Sequence, residues 1–159
     1  MTIRRATAQD IPALQSLLQD ILKVHHQIRP DLFKAEGSKY SDVQLEALLA
    51  DAKTPVFVYA DHSGQILGHL FLQLKELEES SVAYATKNLY IDDLCVSEKA
   101  RGQQLGQKLY DFALAYAKEN GCDRITLNVW NANEGAVRFY ERQGMAARET
   151  KMELKLRSE

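Results

Sequence analysis

The apolar positions of this chain follow two periods, one near 3.6 and one near 2. Ile11, Leu14, Leu17, Leu18, Ile21, Leu22 and His25 recur at helical spacing, with Asp10 placed to cap the helix and Pro12 in its first turn. Ile28-Arg29-Pro30 stops it. Ser41-Asp42-Val43-Gln44 has the spacing of a capping box and opens a second helix through Leu45, Leu48 and Leu49. Gln103 to Asn120 carries the clearest apolar stripe, from Leu105 and Leu109 to Phe112, Ala113, Tyr116 and Ala117, and Gly121 follows as a C-cap. A short helix from Asn133 ends at Gly144.

Between these helices the period falls to 2. Strands are predicted over 2–6, 55–60, 66–74, 88–96, 124–130 and 150–156, with a turn at Asp61–Gln65 joining the second and third. In 88–96, strict alternation sets Leu94 and Val96 on one face and Ile91 and Cys95 on the other. The predicted order β-α-α-β-β-β-α-β-α-β describes a mixed α/β domain around one twisted sheet flanked by helices. No repeat, low-complexity stretch or Gly/Ser linker interrupts it, so one domain over 1–159 is expected.

Composition removes several classes of function. A net charge of −2 on 159 residues, with no Lys/Arg cluster, argues against a nucleic-acid or anionic-membrane binder. The first ten residues lack the apolar core of a signal peptide, and no run reaches the ~20 apolar residues of a membrane span. Cys95 and Cys122 read as free thiols of a reducing cytoplasm. No Cys, Asp or second His stands at metal-ligand spacing near His25 and His26, so no metal is expected. His25 reads as a helix-face side chain and His26 as a solvated one. Cys95 lies within a strand with no His partner, which speaks against a nucleophile.

The informative stretch runs from Leu94 to Gly106: a strand ends at Val96, a short turn follows, and a helix begins near Gly102. A helix start exposes unpaired N–H groups at the positive end of the macrodipole, which suits a diphosphate. Gly102 and Gly106 permit close approach, and Arg101 adds positive charge. The stretch is neither a Walker loop nor G-x-G-x-x-G. A plain helix start that uses glycine for packing explains these residues as well when they are taken alone.

Arg101-Gly102-Gln103-Gln104-Leu105-Gly106 after Leu94-Cys95-Val96 resembles the cofactor turn of the GNAT superfamily of N-acetyltransferases, written Gln/Arg-x-x-Gly-x-Gly/Ala. Gln104 departs from it, standing where the family usually has glycine. A second block, Asn133-Glu134-Gly135-Ala136-Val137-Arg138-Phe139-Tyr140-Glu141-Arg142-Gln143-Gly144-Met145, resembles the family's Asn-x-x-Ala-x-x-Phe-Tyr-x-x-x-Gly-Phe segment. Met145 replaces its last Phe.

The resemblance implies a GNAT fold, a mixed and mostly antiparallel sheet, with acetyl-CoA as cosubstrate and no metal. It assigns the pantetheine arm to Leu94, Cys95 and Val96, and the pyrophosphate to Arg101, Gly102, Gln103, Gln104, Leu105, Gly106 and Gln107. Asn133 would contact the arm from the other side; its other reading is a helix cap. Tyr140 would protonate the leaving thiolate, or else pack as a core aromatic. Asp92 and Asp93 are candidates for the base that frees the amine. Strand alternation sends them to opposite faces, unless a bulge changes the parity. Asn128 stands where some relatives use a Glu base.

The acidic pair before Leu-Cys-Val and the Phe-Tyr-x-x-x-Gly ending look similar to polyamine and diamine acetyltransferases. The implied partner is a small-molecule amine, with the segment from His25 to Tyr40 on the acceptor side. Other readings are a non-catalytic acyl-CoA sensor and an enzyme acting on a protein N-terminus or lysine. The resemblance also allows a homodimer, with the last strand near Lys151–Leu156 as its contact.

Overall fold

The computed structural model describes Thr2 to Arg157 in two compact units, one ending at Asn128 and one beginning at Val129. The first unit holds β1 (Thr2–Arg5), α1 (Ile11–Ile28), α2 (Asp42–Ala50), β2 (Val56–Ala60), β3 (Ile66–Leu77), β4 (Thr86–Val96), α3 (Leu105–Glu119) and β5 (Arg124–Leu127). The five strands form one sheet in sequence order. The first four pair antiparallel, and β4 pairs parallel with β5 after the α3 crossover.

The sheet is covered on both faces. On one side Val56, Val58 and Phe71 pack with Ile11, Leu14 and Leu18 of α1 and Leu45 of α2. On the other, Phe57 meets Phe112 and Tyr116 of α3 edge-on, at 4.6 and 5.4 Å between ring centroids. Gly68 marks the tightest contact there. A Cβ on it would lie 2.9 Å from the Cys95 carbonyl oxygen and 3.1 Å from Leu109 Cδ1, so no larger residue fits without displacement.

Three local details shape this frame. Ser41 Oγ accepts from Gln44 N at 3.1 Å and Gln44 Oε1 accepts from Ser41 N at 2.8 Å, the predicted capping box. Asp10 precedes α1 as expected but does not cap it with its side chain. Its buried carboxylate takes two bonds from Arg4 (2.8 and 3.0 Å) and one from Thr7 N (2.8 Å). The hydrogen bond from Arg4 leads the causes that hold it below the usual carboxylate range. Third, α3 starts at Leu105 rather than Gln103, because Gln104 sits at φ +59°, outside helical geometry.

The second unit contains α4 (Glu134–Arg142) as its regular element among the described residues. Lys151–Leu156, predicted as a strand, is not one, and neither is the rest of 150–156. Met152, Leu154 and Leu156 do alternate, but they are 88%, 82% and 89% exposed. Alternation sets which way side chains face; a strand also needs a ladder partner, and the described residues of this unit supply none. Likewise β5 ends at Leu127, three residues before the predicted Trp130.

Candidate active site

β4 carries the site, and one irregularity decides its geometry. Phe71 of β3 pairs with Asp93, but its neighbour Leu72 pairs with Ile91, so Asp92 is an extra residue, a bulge. The bulge reverses parity along the strand. Ile91, opposite Leu72, and Cys95, opposite His69, therefore lie on different faces, not on the shared face that strict alternation predicts. Asp93 and Cys95 turn toward α1, where Cys95 Sγ lies 3.7 Å from the Leu17 carbonyl oxygen. Asp92 turns the same way: its carboxylate meets Tyr40, whose ring stacks on Phe71 at 5.9 Å.

The two carboxylates are held differently. Asp93 Oδ2 accepts from His69 Nε2 at 3.0 Å, and the His69 side chain is fully buried. Burial pushes Asp93 upward. The His69 hydrogen bond and the charges of His69, Lys39 and His25 outweigh it, and the carboxyl is held below the usual range. Asp93 is thus an anion at neutral pH. His69 Nδ1 has no hydrogen-bond partner among the described residues, although the ring packs edge-on against Phe71 at 4.8 Å.

Asp92 accepts from Tyr40 Oη at 2.5 Å through one oxygen and from Lys39 Nζ at 3.0 Å through the other. Burial, then the bond to Asp92, pushes the Tyr40 phenol far above its ordinary value, so it stays a donor. His25, half-buried against Phe33 (5.0 Å between rings), is lowered by burial, which its attraction to Asp93 only partly offsets. His26 is not solvated as expected; its Nδ1 lies 2.8 Å from the Phe33 carbonyl oxygen and ties down the segment after α1.

Beyond the bulge β4 loses its partner on one edge. The β4–β5 ladder runs from Asn88–Arg124 to Ile91–Leu127 and stops, while β4 continues to Val96. Asn128, the next residue, donates to Tyr90 Oη at 3.1 Å. Leu94, Cys95 and Val96 therefore keep β3 on one side without β5 on the other. Cys95 itself is inert: burial pushes its thiol up to about 12.

The strand then enters the predicted turn. Ser97 N donates to the Leu67 carbonyl at 2.8 Å, a 3-10 turn follows over Glu98–Ala100, and Arg101 to Gln104 are exposed. Gly102 takes φ +85°, and a Cβ there would meet nothing within 4 Å. Gln104 is the one described non-glycine residue with positive φ, which accounts for the family's glycine at that position. Its side chain makes no cap bond, so the helix start at Leu105 and Gly106 is not capped by it. Arg101 lies 3.7 Å from Glu98 in an exposed ion pair of little energetic weight. An accessible turn with positive-φ residues and a helix N-terminus fits a diphosphate.

In the second unit, Asn133 caps α4, with Oδ1 accepting from Ala136 N at 3.3 Å. Tyr140 is half-buried, with its ring 5.0 Å from Phe139 and edge-on to it. The residues that periodicity did not single out are Lys39, Tyr40 and His69. For His69 a signal existed: it is the one ionisable side chain in the apolar run Ile66–Leu72.

Comparison with known proteins accords with this geometry. Residues 19–145 match the model of the acetyltransferase (GNAT) family. The chain is 31% identical over 117 residues to streptothricin acetyltransferase of Streptomyces lavendulae, covering 72% of this chain but 56% of that protein, little more than half its length. It is 30% identical over 145 residues to the uncharacterized N-acetyltransferase YhfO of Bacillus subtilis (strain 168), covering 91% of this chain and 89% of the other. The solved structure of a tetramutant of the BH1408 protein from Bacillus halodurans superposes with a TM-score of 0.94 at 31% identity, over 98% of this chain and 100% of that one. The five-stranded mixed sheet flanked by helices is the fold of these neighbours. By the extent of the family match and by the likeness to YhfO, the chain belongs to the acetyltransferase (GNAT) family.

Proposed function

We propose that the chain transfers the acetyl group of acetyl-CoA to a primary amine of a small molecule. The observation that carries this is the fork in the sheet. β4 runs on past Ile91 with β3 still beside it but without β5, into an exposed turn and the start of α3. Leu94, Cys95 and Val96 would hold the pantetheine arm through main-chain groups, as an added strand does. Arg101 to Gln107 would hold the pyrophosphate. Bound there, acetyl-CoA supplies an activated acyl carbonyl. The Val96 N–H would polarise its oxygen. By the family pattern Tyr140 would be the acid for the leaving sulfur and Asn133 would contact the arm.

Asp92 and Asp93 fit the base role unequally. Asp93 is held low and bonded to His69, so it anchors cationic charge better than it takes a proton. Asp92, at the bulge, is the better candidate to receive the amine's proton, directly or through water. The acidic pair and the exposed Glu78 and Glu79 favour a cationic acceptor, with polyamines and diamines as the finer reading. The family match crosses from the first unit into the second, which supports one domain over 1–159. The homodimer and the cytoplasmic setting are part of the same proposal, the latter on the strength of two free cysteines.

The test is thermal and kinetic. Acetyl-CoA at 100-fold over its dissociation constant should add about 2.7 kcal/mol of stability. A panel of polyamines, amino acids, aminoglycosides and peptides should then yield at least one acetylated amine. Cofactor binding with no product from any amine would favour the sensor reading. Tyr140→Phe should cut turnover by about a hundredfold or more with acetyl-CoA affinity unchanged; equal turnover removes Tyr140 from the chemistry.

A further inference from the structure

Asp92 presents more than a carboxylate. Its main-chain carbonyl oxygen accepts from Lys39 Nζ at 3.1 Å, and its Oδ1 accepts from the same nitrogen at 3.0 Å. The Lys39 ammonium also lies 5.5 Å from the centroid of the Tyr40 ring. A carboxylate, a carbonyl and an aromatic ring thus surround one primary ammonium group. This acceptor set suits –NH3+, which has three donors and no acceptor and is drawn to ring faces.

The two halves of the contact are not equally fixed. The Asp92 side chain is 11% exposed and is pinned by Tyr40 Oη, whereas Lys39 is 44% exposed. Lys39 reaches Asp92 on a flexible four-carbon stem. An ion pair with one exposed partner holds its charge weakly, so another ammonium can replace it at small cost. Asp92 precedes Leu94 by two residues, about 7 Å along a strand. A ligand amine in the cradle would therefore sit close to the strand segment assigned to the thioester arm.

The geometry points to an ammonium-binding site at Asp92 in which Lys39 stands in for the acceptor: a ligand with a primary alkylammonium group displaces the lysine and takes its place. Its catalytic meaning rests on the acetyltransferase reading; the cradle itself does not. Lys39 then acts as an internal competitor that weakens the apparent binding of every amine at the site by the same factor.

The experiment uses the full chain with coenzyme A present and n-butylammonium as probe, titrated by calorimetry. Lys39→Met and Lys39→Gln should each bind the probe about fivefold or more tightly than the wild type. Adding Asp92→Asn to Lys39→Met should abolish the gain. Unchanged or weaker binding in both Lys39 variants overturns the proposal, leaving the Lys39–Asp92 pair a purely structural tie. A gain that survives Asp92→Asn overturns it too, by placing the probe elsewhere. Coenzyme A affinity, measured in the same samples, separates the two readings. Its absence with the butylammonium gain intact sinks the acetyltransferase and spares the cradle; the reverse outcome does the opposite.

Discussion

The two ends of the β4 site are built in opposite ways. The turn from Ser97 to Gln104 is exposed through Arg101–Gln104 and held largely by its own main chain, with Gly102 and Gln104 at positive φ. The end proposed for the acceptor joins Lys39, Tyr40, His69, Asp92 and Asp93 from three separate stretches of sequence through side-chain bonds of 2.5 to 3.1 Å. A diphosphate can be gripped by bare amides, which any sequence supplies. An amine needs carboxylates, and a half-buried carboxylate needs partners. The turn therefore depends on backbone conformation and the acceptor end on side-chain identity, and substitutions separate the two.

The largest effect belongs to the buried pair. His69→Leu strips Asp93 of its main partner in a water-poor setting and should cost about 3–5 kcal/mol in urea unfolding. The double variant with Asp93→Leu should recover much of that loss; a single variant as stable as wild type would mean the pair is idle. Next is Tyr40→Phe, which removes a bond to a charged oxygen and should cost about 1.5–3 kcal/mol. In the turn the sign inverts. Gln104→Gly relieves a left-handed conformation and should stabilise by about 0.5–1 kcal/mol, leaving amine binding untouched.

The smallest effect is in pH. His25 is lowered in the fold from an ordinary 6.5, so the unfolded chain binds the extra proton first and stability falls as pH drops through that value. Asp93 is lowered from 3.8; its contribution is intact above that value and is lost as pH falls through its lower folded one. Unfolding titrations should show both losses, and His25→Gln should erase only the upper one.

Legibility followed the same division. The turn was readable because its residues are consecutive, as were the helices with their stripes and the Ser41 capping box. The bulge could be named as an alternative but not located, because no local pattern separates Asp92 from a regular strand residue. Tyr40 and Lys39 fell inside the segment assigned to the acceptor side, yet their partner lies 52 and 53 residues away, beyond any periodicity. The final strand failed for a related reason: alternation in 151–156 describes a face, while the ladder that makes a strand belongs to its neighbour.

The bulge and the fork coincide. The ladder to β3 skips Asp92, and the ladder to β5 ends one residue earlier, at Ile91. At about 3.3 Å per residue, the stretch from Asp92 to Val96 is a track of about 13 Å with a stop at its inner end. On the proposed reading, an extended arm anchored at the outer end by its phosphates would be measured against a fixed length. Whether an acyl carbon arrives beside the cradle or falls short becomes a question of reach, so homologous thioesters with a longer or shorter arm should be sorted by distance before any side chain touches them.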